Sequence, residues 1–132
     1  MSNAAAKPAR EVLLERLFDA FNRHDAEAVM ACFTPGIVFD AAVGPEAHGR
    51  RFSGQDAVKA AFVAVWTDMP DVSWTIRRHT IAGDVALSEW LFAGTRRDGQ
   101  RVEVNGLDVF AFDGELIASK SAYRKDRPVP AA

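Results

Sequence analysis

The chain has 132 residues, 48% hydrophobic and 26% charged, with a formal net charge of -2. This suffices for one globular domain with its own core and leaves no room for two. The scattered arginine pairs (Arg50-Arg51, Arg77-Arg78, Arg96-Arg97) give no sustained basic stripe and no apolar run approaches a membrane span, which argues against a nucleic-acid partner and against a membrane protein.

In chain order, residues 1–9 read as a disordered tail, with Ser2-Asn3-Ala4 resembling a cloning remnant and no signal-peptide core. From Ala9 to Arg23 the residues Val12, Leu13, Leu14, Leu17, Phe18 and Phe21 recur at helical spacing opposite a charged side. Asp25 is placed to cap a second, shorter helix carrying Ala26, Val29, Met30 and Phe33, stopped by Pro35-Gly36. The single cysteine, Cys32, falls in this apolar pattern and reads as a buried, inert thiol, which fits a reducing cytoplasm. Gly36 to Val43 alternates as a short strand, and a loop with Gly44, Pro45, Glu46, His48 and Gly49 leads to a brief strand at Arg50 to Phe52. Ser53 and Asp56 form an S-x-x-D capping signature for a third helix, which ends at Pro70. Four runs follow, Asp71 to Ala82, Asp84 to Arg97, Arg101 to Phe112 and Glu115 to Lys125, separated by Gly83-Asp84, Asp98-Gly99 and Asp113-Gly114. They predict an antiparallel meander. Residues 126–132 read as a second tail, so one domain spans 10–125. The order helix, helix, strand, helix, meander is α+β: a curved, mostly antiparallel sheet closed by three helices from the N-terminal half.

In the run Arg101 to Phe112, period two puts Val102, Val104, Gly106, Asp108, Phe110 and Phe112 on one face. Asp108 is alone in an apolar row, where a carboxylate is costly unless hydrogen-bonded, paired or neutralised. Two explanations stand: an acid or base tuned by an apolar pocket, or a structural aspartate bonded to backbone at a bulge beside Gly106. Asp40, sharing parity with Val38 and Ala42, is a second carboxylate in an apolar strand row.

The segments FDAFNRHDAEAVMACFTPGIVFD, His48-Gly49 to Ser53-Gly54 and NGLDVFAFDGELIASKSAY resemble the NTF2-like superfamily, in particular its SnoaL-like (polyketide cyclase-like) and ketosteroid isomerase-like members, over about Val12 to Lys125. The resemblance implies a cone-shaped barrel with one deep apolar pocket and a homodimer. It also places Asp40 at the general-base position of ketosteroid isomerases and Asp108 at the oxyanion-hole aspartate, with Leu17 where that family has a tyrosine. Isomerase, cyclase, dehydratase and epoxide-hydrolase activities all occur in the superfamily. The implied function is acid/base proton transfer on a hydrophobic carbonyl-bearing or polycyclic molecule; the alternative is a non-catalytic ligand-binding or dimerisation module.

The histidines add little. His24 reads as a helix-end residue, His48 as a loop residue at the mouth of the pocket, and His79 as lying on a mixed strand face. None has metal-ligand spacing, no nucleotide-binding glycine motif occurs, and neither metal nor cofactor is expected. Candidate ligand contacts are Leu17, His48, Phe62, Trp66, Trp90, Phe110 and Tyr123; Trp74 and Phe92 line pocket or core. Glu89 has the parity of Leu87 and Leu91, and those two with Leu107 and Val109 form an apolar sheet face suited to dimerisation.

Overall fold

The computed structural model describes residues 7–128. The tails expected over 1–9 and 126–132 therefore lie outside the described residues, except for 7–9 and 126–128. The elements in order are α1 (Ala9–Asn22), α2 (Ala26–Met30), β1 (Phe33–Asp40), β2 (Arg51–Ser53), α3 (Gln55–Asp68), β3 (Ser73–Ala82), β4 (Val85–Thr95), β5 (Arg101–Asp113) and β6 (Leu116–Arg124).

The strands form one curved sheet in the order β2-β1-β6-β5-β4-β3. Strands β3 to β6 are the expected meander, and β1 returns parallel to β6. The sheet stays open, with β2 and β3 as its edges, so the barrel is not closed. The helices cover its concave side. The charged side of α1 faces out while Leu13, Leu14, Leu17, Phe18, Ala20 and Phe21 are buried, and α3 contributes Val58, Phe62 and Trp66 to the same core.

Three local expectations need correction. Asp25 does cap α2, accepting from the Ala28 amide at 3.1 Å, but the helix ends at Met30 and Phe33 already belongs to β1. Pro35-Gly36 lies inside that strand, at an irregularity between Phe33 and Val38. The Gln55 amide there donates to the Phe33 and Thr34 carbonyls at 3.2 and 3.0 Å, which satisfies groups the ladder leaves free. Ser53 is the end of β2 and does not cap α3; Gly54 does so with φ 87°, a conformation only glycine adopts without strain.

Two bulges decide which side chains face inward. Between Ile76 and Arg78 the β3–β4 register slips by one residue, so Trp74 and Ile76 point to the concave face and His79 and Ile81 follow on that same face. In β6, Ile117 pairs with Phe112 but Ser119 pairs with Ala111, leaving Ala118 as the extra residue. The inward row of β6 thereby changes from Ile117 to Lys120, Ala122 and Arg124.

Candidate functional site

Beneath α3 the sheet frames a half-open cavity of about 590 Å³, within the range that holds a drug-sized ligand. Small side chains on α3 create the space: Ala57, Ala60, Ala61 and Ala64 all line it, facing Phe39, Phe52, Trp74, Trp90 and Phe92 from the sheet. Val43 and its neighbours Ala41 and Ala42, at the start of the loop after β1, complete one side. Only two lining residues are charged, Lys120 and Arg124, both on β6.

Lys120 is the polar floor. Its ammonium donates to Asp108 Oδ1 at 3.0 Å and lies 4.6, 5.3 and 5.5 Å from the ring centres of Phe39, Phe21 and Phe62. The aromatic faces and the carboxylate together replace the water that a buried ammonium loses. Asp108 is fully buried and accepts a second bond from Trp90 Nε1 at 3.0 Å. Burial pushes the Asp108 carboxyl above the ordinary aspartate range, against the opposing pull of Lys120 and Trp90.

Gly106, opposite Trp90 in the β4–β5 register, makes this arrangement possible. A Cβ there would come within 2.5 Å of the indole ring and collide with the Tyr123 carbonyl oxygen, so only glycine lets the indole lie across β5 toward Asp108. The register at Gly106 is regular, and Asp108 is held by side chains instead of by a bulge's backbone.

Asp40 is elsewhere. Phe39 pairs with Lys120 on the inner face, so Asp40, one residue on, points outward with Ser121. Its carboxylate receives two bonds from the Arg51 guanidinium, at 2.8 and 3.0 Å. The bond from Arg51 holds it below the usual carboxylate range, with burial opposing and the charges of Arg51 and His48 assisting. The two aspartates singled out in the sequence thus lie on opposite faces of the sheet.

Of the other candidates, Phe62, Trp66 and Trp90 line the cavity. Leu17 and Phe110 are fully buried in the core, Phe110 packing edge-on against Phe18 at 6.2 Å. His48 sits in an exposed part of the loop after β1. Tyr123 is 57% exposed on the outer face, where it and Glu89 border a second depression; Glu89 is ion-paired with Arg78. His24 stacks on Trp66 at 5.2 Å. His79 Nδ1 is 2.8 Å from Ser88 Oγ on the inner face, and burial lowers its pKa. Cys32 is buried, and burial raises its thiol. No cluster suited to a metal ion occurs among the described residues, and no described helix is long and apolar enough to cross a membrane.

Lys120 and Arg124 were not singled out from the sequence. Strict alternation along β6 groups Ile117 with Tyr123 and leaves Lys120 with the solvent row; the bulge at Ala118 inverts that assignment. The usable signal was Asp108 itself, because a buried carboxylate asks for a cation and a neighbouring strand is where to look.

Residues 14–120 match the family model of the SnoaL-like domain, and the chain belongs to that family. Among solved structures it is similar to an NTF2-like protein of unknown function from Burkholderia pseudomallei, with a TM-score of 0.79 at 17% identity, covering 89% of this chain and 92% of that one. A protein of ketosteroid isomerase-like fold from Catenulispora acidiphila, in complex with trimethylamine, gives 0.74 at 18% identity over 84% and 83%. TerC, co-crystallised with polyporic acid, gives 0.77 at 13% identity over 89% and 92%. At these identities the likeness establishes the fold. No curated protein matches by sequence.

Proposed function

We propose that this SnoaL-like domain binds a small hydrophobic carbonyl compound in the cavity under α3 and promotes proton exchange next to that carbonyl. The observation that carries the reading is a buried ammonium, Lys120, lining a largely apolar chamber and tied to a fully buried carboxylate, Asp108. An ammonium has three donors. One is committed to Asp108, and a ligand oxygen in the cavity can take another. Negative charge growing on that oxygen during enolisation meets a fixed positive group on a largely apolar wall, an interaction typically worth about 3 kcal/mol. Asp108 holds Lys120 in place and balances its charge when no ligand is bound. Asp40, paired with Arg51 on the outer face, takes no part. Nothing in this scheme calls on a metal or cofactor, and a cytoplasmic setting suits the single buried thiol.

A second reading is favoured by a specific feature: no carboxylate or imidazole lines the cavity to accept a proton from carbon. Water would have to serve, or the domain binds its ligand without reacting. Incubating 2-acetylnaphthalene with the protein in D₂O and following the methyl signal by NMR separates the two. Deuterium incorporation that Lys120→Met abolishes supports proton transfer. Binding without incorporation leaves the non-catalytic module, and absence of binding removes both readings. Solved relatives contain trimethylamine in one case and polyporic acid in another, so the fold admits ligands of different chemistry and this chain's own lining residues must decide.

We further propose that the outer face bearing Leu87, Leu91, Leu107 and Val109 pairs two copies of the chain. Leu87 is 36% exposed there, and Tyr123 extends the apolar patch.

A further inference from the structure

We propose that the ligand is an acid: a hydrophobic molecule of about two fused rings whose anionic oxygen is received by Arg124 and Trp66, while its other end reaches Lys120. This rests on the reading that the cavity is a ligand site, and specifies what enters it.

The lining supplies donors and no acceptors. Every side chain around the cavity is Phe, Ala, Val, Trp, Lys or Arg, and none of these accepts a hydrogen bond. Among the described residues, two buried side-chain polar atoms lack any hydrogen-bond partner, Trp66 Nε1 and Arg124 Nε, and both belong to cavity-lining residues. Orphaned buried donors ask for an explanation, and a ligand acceptor is one that satisfies both. Trp66 is only 8% exposed, so water at the surface does not serve it.

Charge points the same way. Lys120 is offset by Asp108 at 3.0 Å. Arg124 Nε faces Asp126 Oδ1 at 3.6 Å, an ion pair too long for a hydrogen bond, and the Asp126 side chain is 58% exposed. The Arg124 guanidinium lies over the ring of the cavity-lining Phe92 at 5.2 Å, and the residue borders the second depression too. Burial lowers the Arg124 pKa, Asp126 opposes this, and the nearby cation Arg96 adds to it; guanidinium nevertheless stays charged. Arg124 is therefore the less fully compensated of the two lining cations. A cationic ligand is repelled by that charge and a neutral acceptor answers only the donors, whereas an anionic group answers the charge and accepts from them as well.

Spacing sets the size. Lys120 and Arg124 are four residues apart on one strand, with the same inward parity, which separates their backbones by about 13 Å at roughly 3.3 Å per residue. The Lys120 ammonium leans to Asp108, opposite Ala122, and the Arg124 guanidinium lies over Phe92, beyond Gly106, so the two cations do not converge and a bicyclic aromatic body fits between a ketone at one end and a carboxylate at the other.

The test compares 6-acetyl-2-naphthoic acid with 2-acetylnaphthalene by quenching of the cavity tryptophans Trp66, Trp74 and Trp90. The acid is expected to bind at least tenfold tighter. Arg124→Met should bring the ratio close to one with the neutral ketone's Kd unchanged within twofold, which also verifies that the variant is folded, and Arg124→Lys should restore part of the preference. Trp66→Phe should weaken the acid selectively. Equal affinities in the parent protein, or an Arg124→Met variant that weakens both probes alike, overturn the inference while leaving the cavity as a ligand site. If neither probe binds, the inference falls together with the reading of the cavity beneath it.

Discussion

Replacing Lys120 by methionine removes the ammonium but keeps a linear apolar stem of similar length, so the packing against Phe21, Phe39 and Phe62 is largely retained. What changes is electrostatic. Asp108, with no exposed surface, keeps the bond from Trp90 Nε1 and loses its counter-charge. Removing one partner of a buried pair typically costs about 3–5 kcal/mol, a large share of the roughly 5–15 kcal/mol that holds a domain together. The carboxyl can escape by taking a proton, and this gives the cost a signature. Burial already raises its pKa in the folded protein, and losing Lys120 raises it further. A group with a raised folded pKa contributes stability that is complete below its unfolded value, about 3.9 for aspartate, and lost as pH rises through the folded value. The variant's deficit relative to the parent should therefore grow with pH, by up to about 1.4 kcal/mol per unit while the folded carboxyl is still protonated. Urea unfolding of both proteins at pH 5, 6 and 7, with unchanged m-values as a check on two-state behaviour, measures it. Adding Asp108→Asn to the variant should remove the extra slope. A deficit within about 0.5 kcal/mol at pH 7, the range of an ordinary surface change, or one equal at pH 5 and pH 7, would refute the reasoning.

Gly106→Ala should destabilise by about 1–3 kcal/mol, as overpacking does, and shift tryptophan emission, because its Cβ displaces the Trp90 indole from Asp108; an unchanged emission maximum counts against that packing. Ala61→Phe, filling the cavity from α3, should abolish binding of naphthyl ketones while moving Tm by less than about 4 °C; retained binding would place the ligand elsewhere. Asp40→Asn should lower Tm at neutral pH and converge with the parent in acid. Its folded pKa is depressed by the Arg51 bond, so its contribution is present above about pH 3.9 and vanishes as pH falls through the folded value. A constant Tm offset down to the most acid conditions would mean that the charge of Asp40 is irrelevant. Leu107→Glu, on the outer face, should convert a dimer to monomers in sedimentation equilibrium, and a monomeric parent protein would dismiss pairing through this sheet.

Periodicity and turn chemistry made the fold legible: the amphipathic α1, the Asp25 cap and the three glycine turns of the meander follow from local rules, and the tertiary structure agrees with them. Of the site, the aromatic lining (Phe62, Trp66 and Trp90) and Asp108 were legible, and the cations were not. A lone carboxylate in an apolar row announces a buried partner, but which neighbour supplies it depends on register, and register is where alternation fails. The extra residue Ala118 turns Lys120 inward and Tyr123 outward, and the extra residue in β3 does the same for His79. Neither bulge carries a glycine or proline to mark it. Asp40 shows the complementary failure. Val38 and Ala42 make its row look apolar, yet the core row of β1 is Ile37 and Phe39, and the cation that meets Asp40 comes from β2 across a ten-residue loop. Composition of a row therefore identifies an inward face only when the opposite row is polar. Where both rows are apolar, the sheet's pairing decides, and here it sends one aspartate to an outer-face ion pair and the other to a buried place behind Lys120, beneath a cavity whose only charged lining groups are cations.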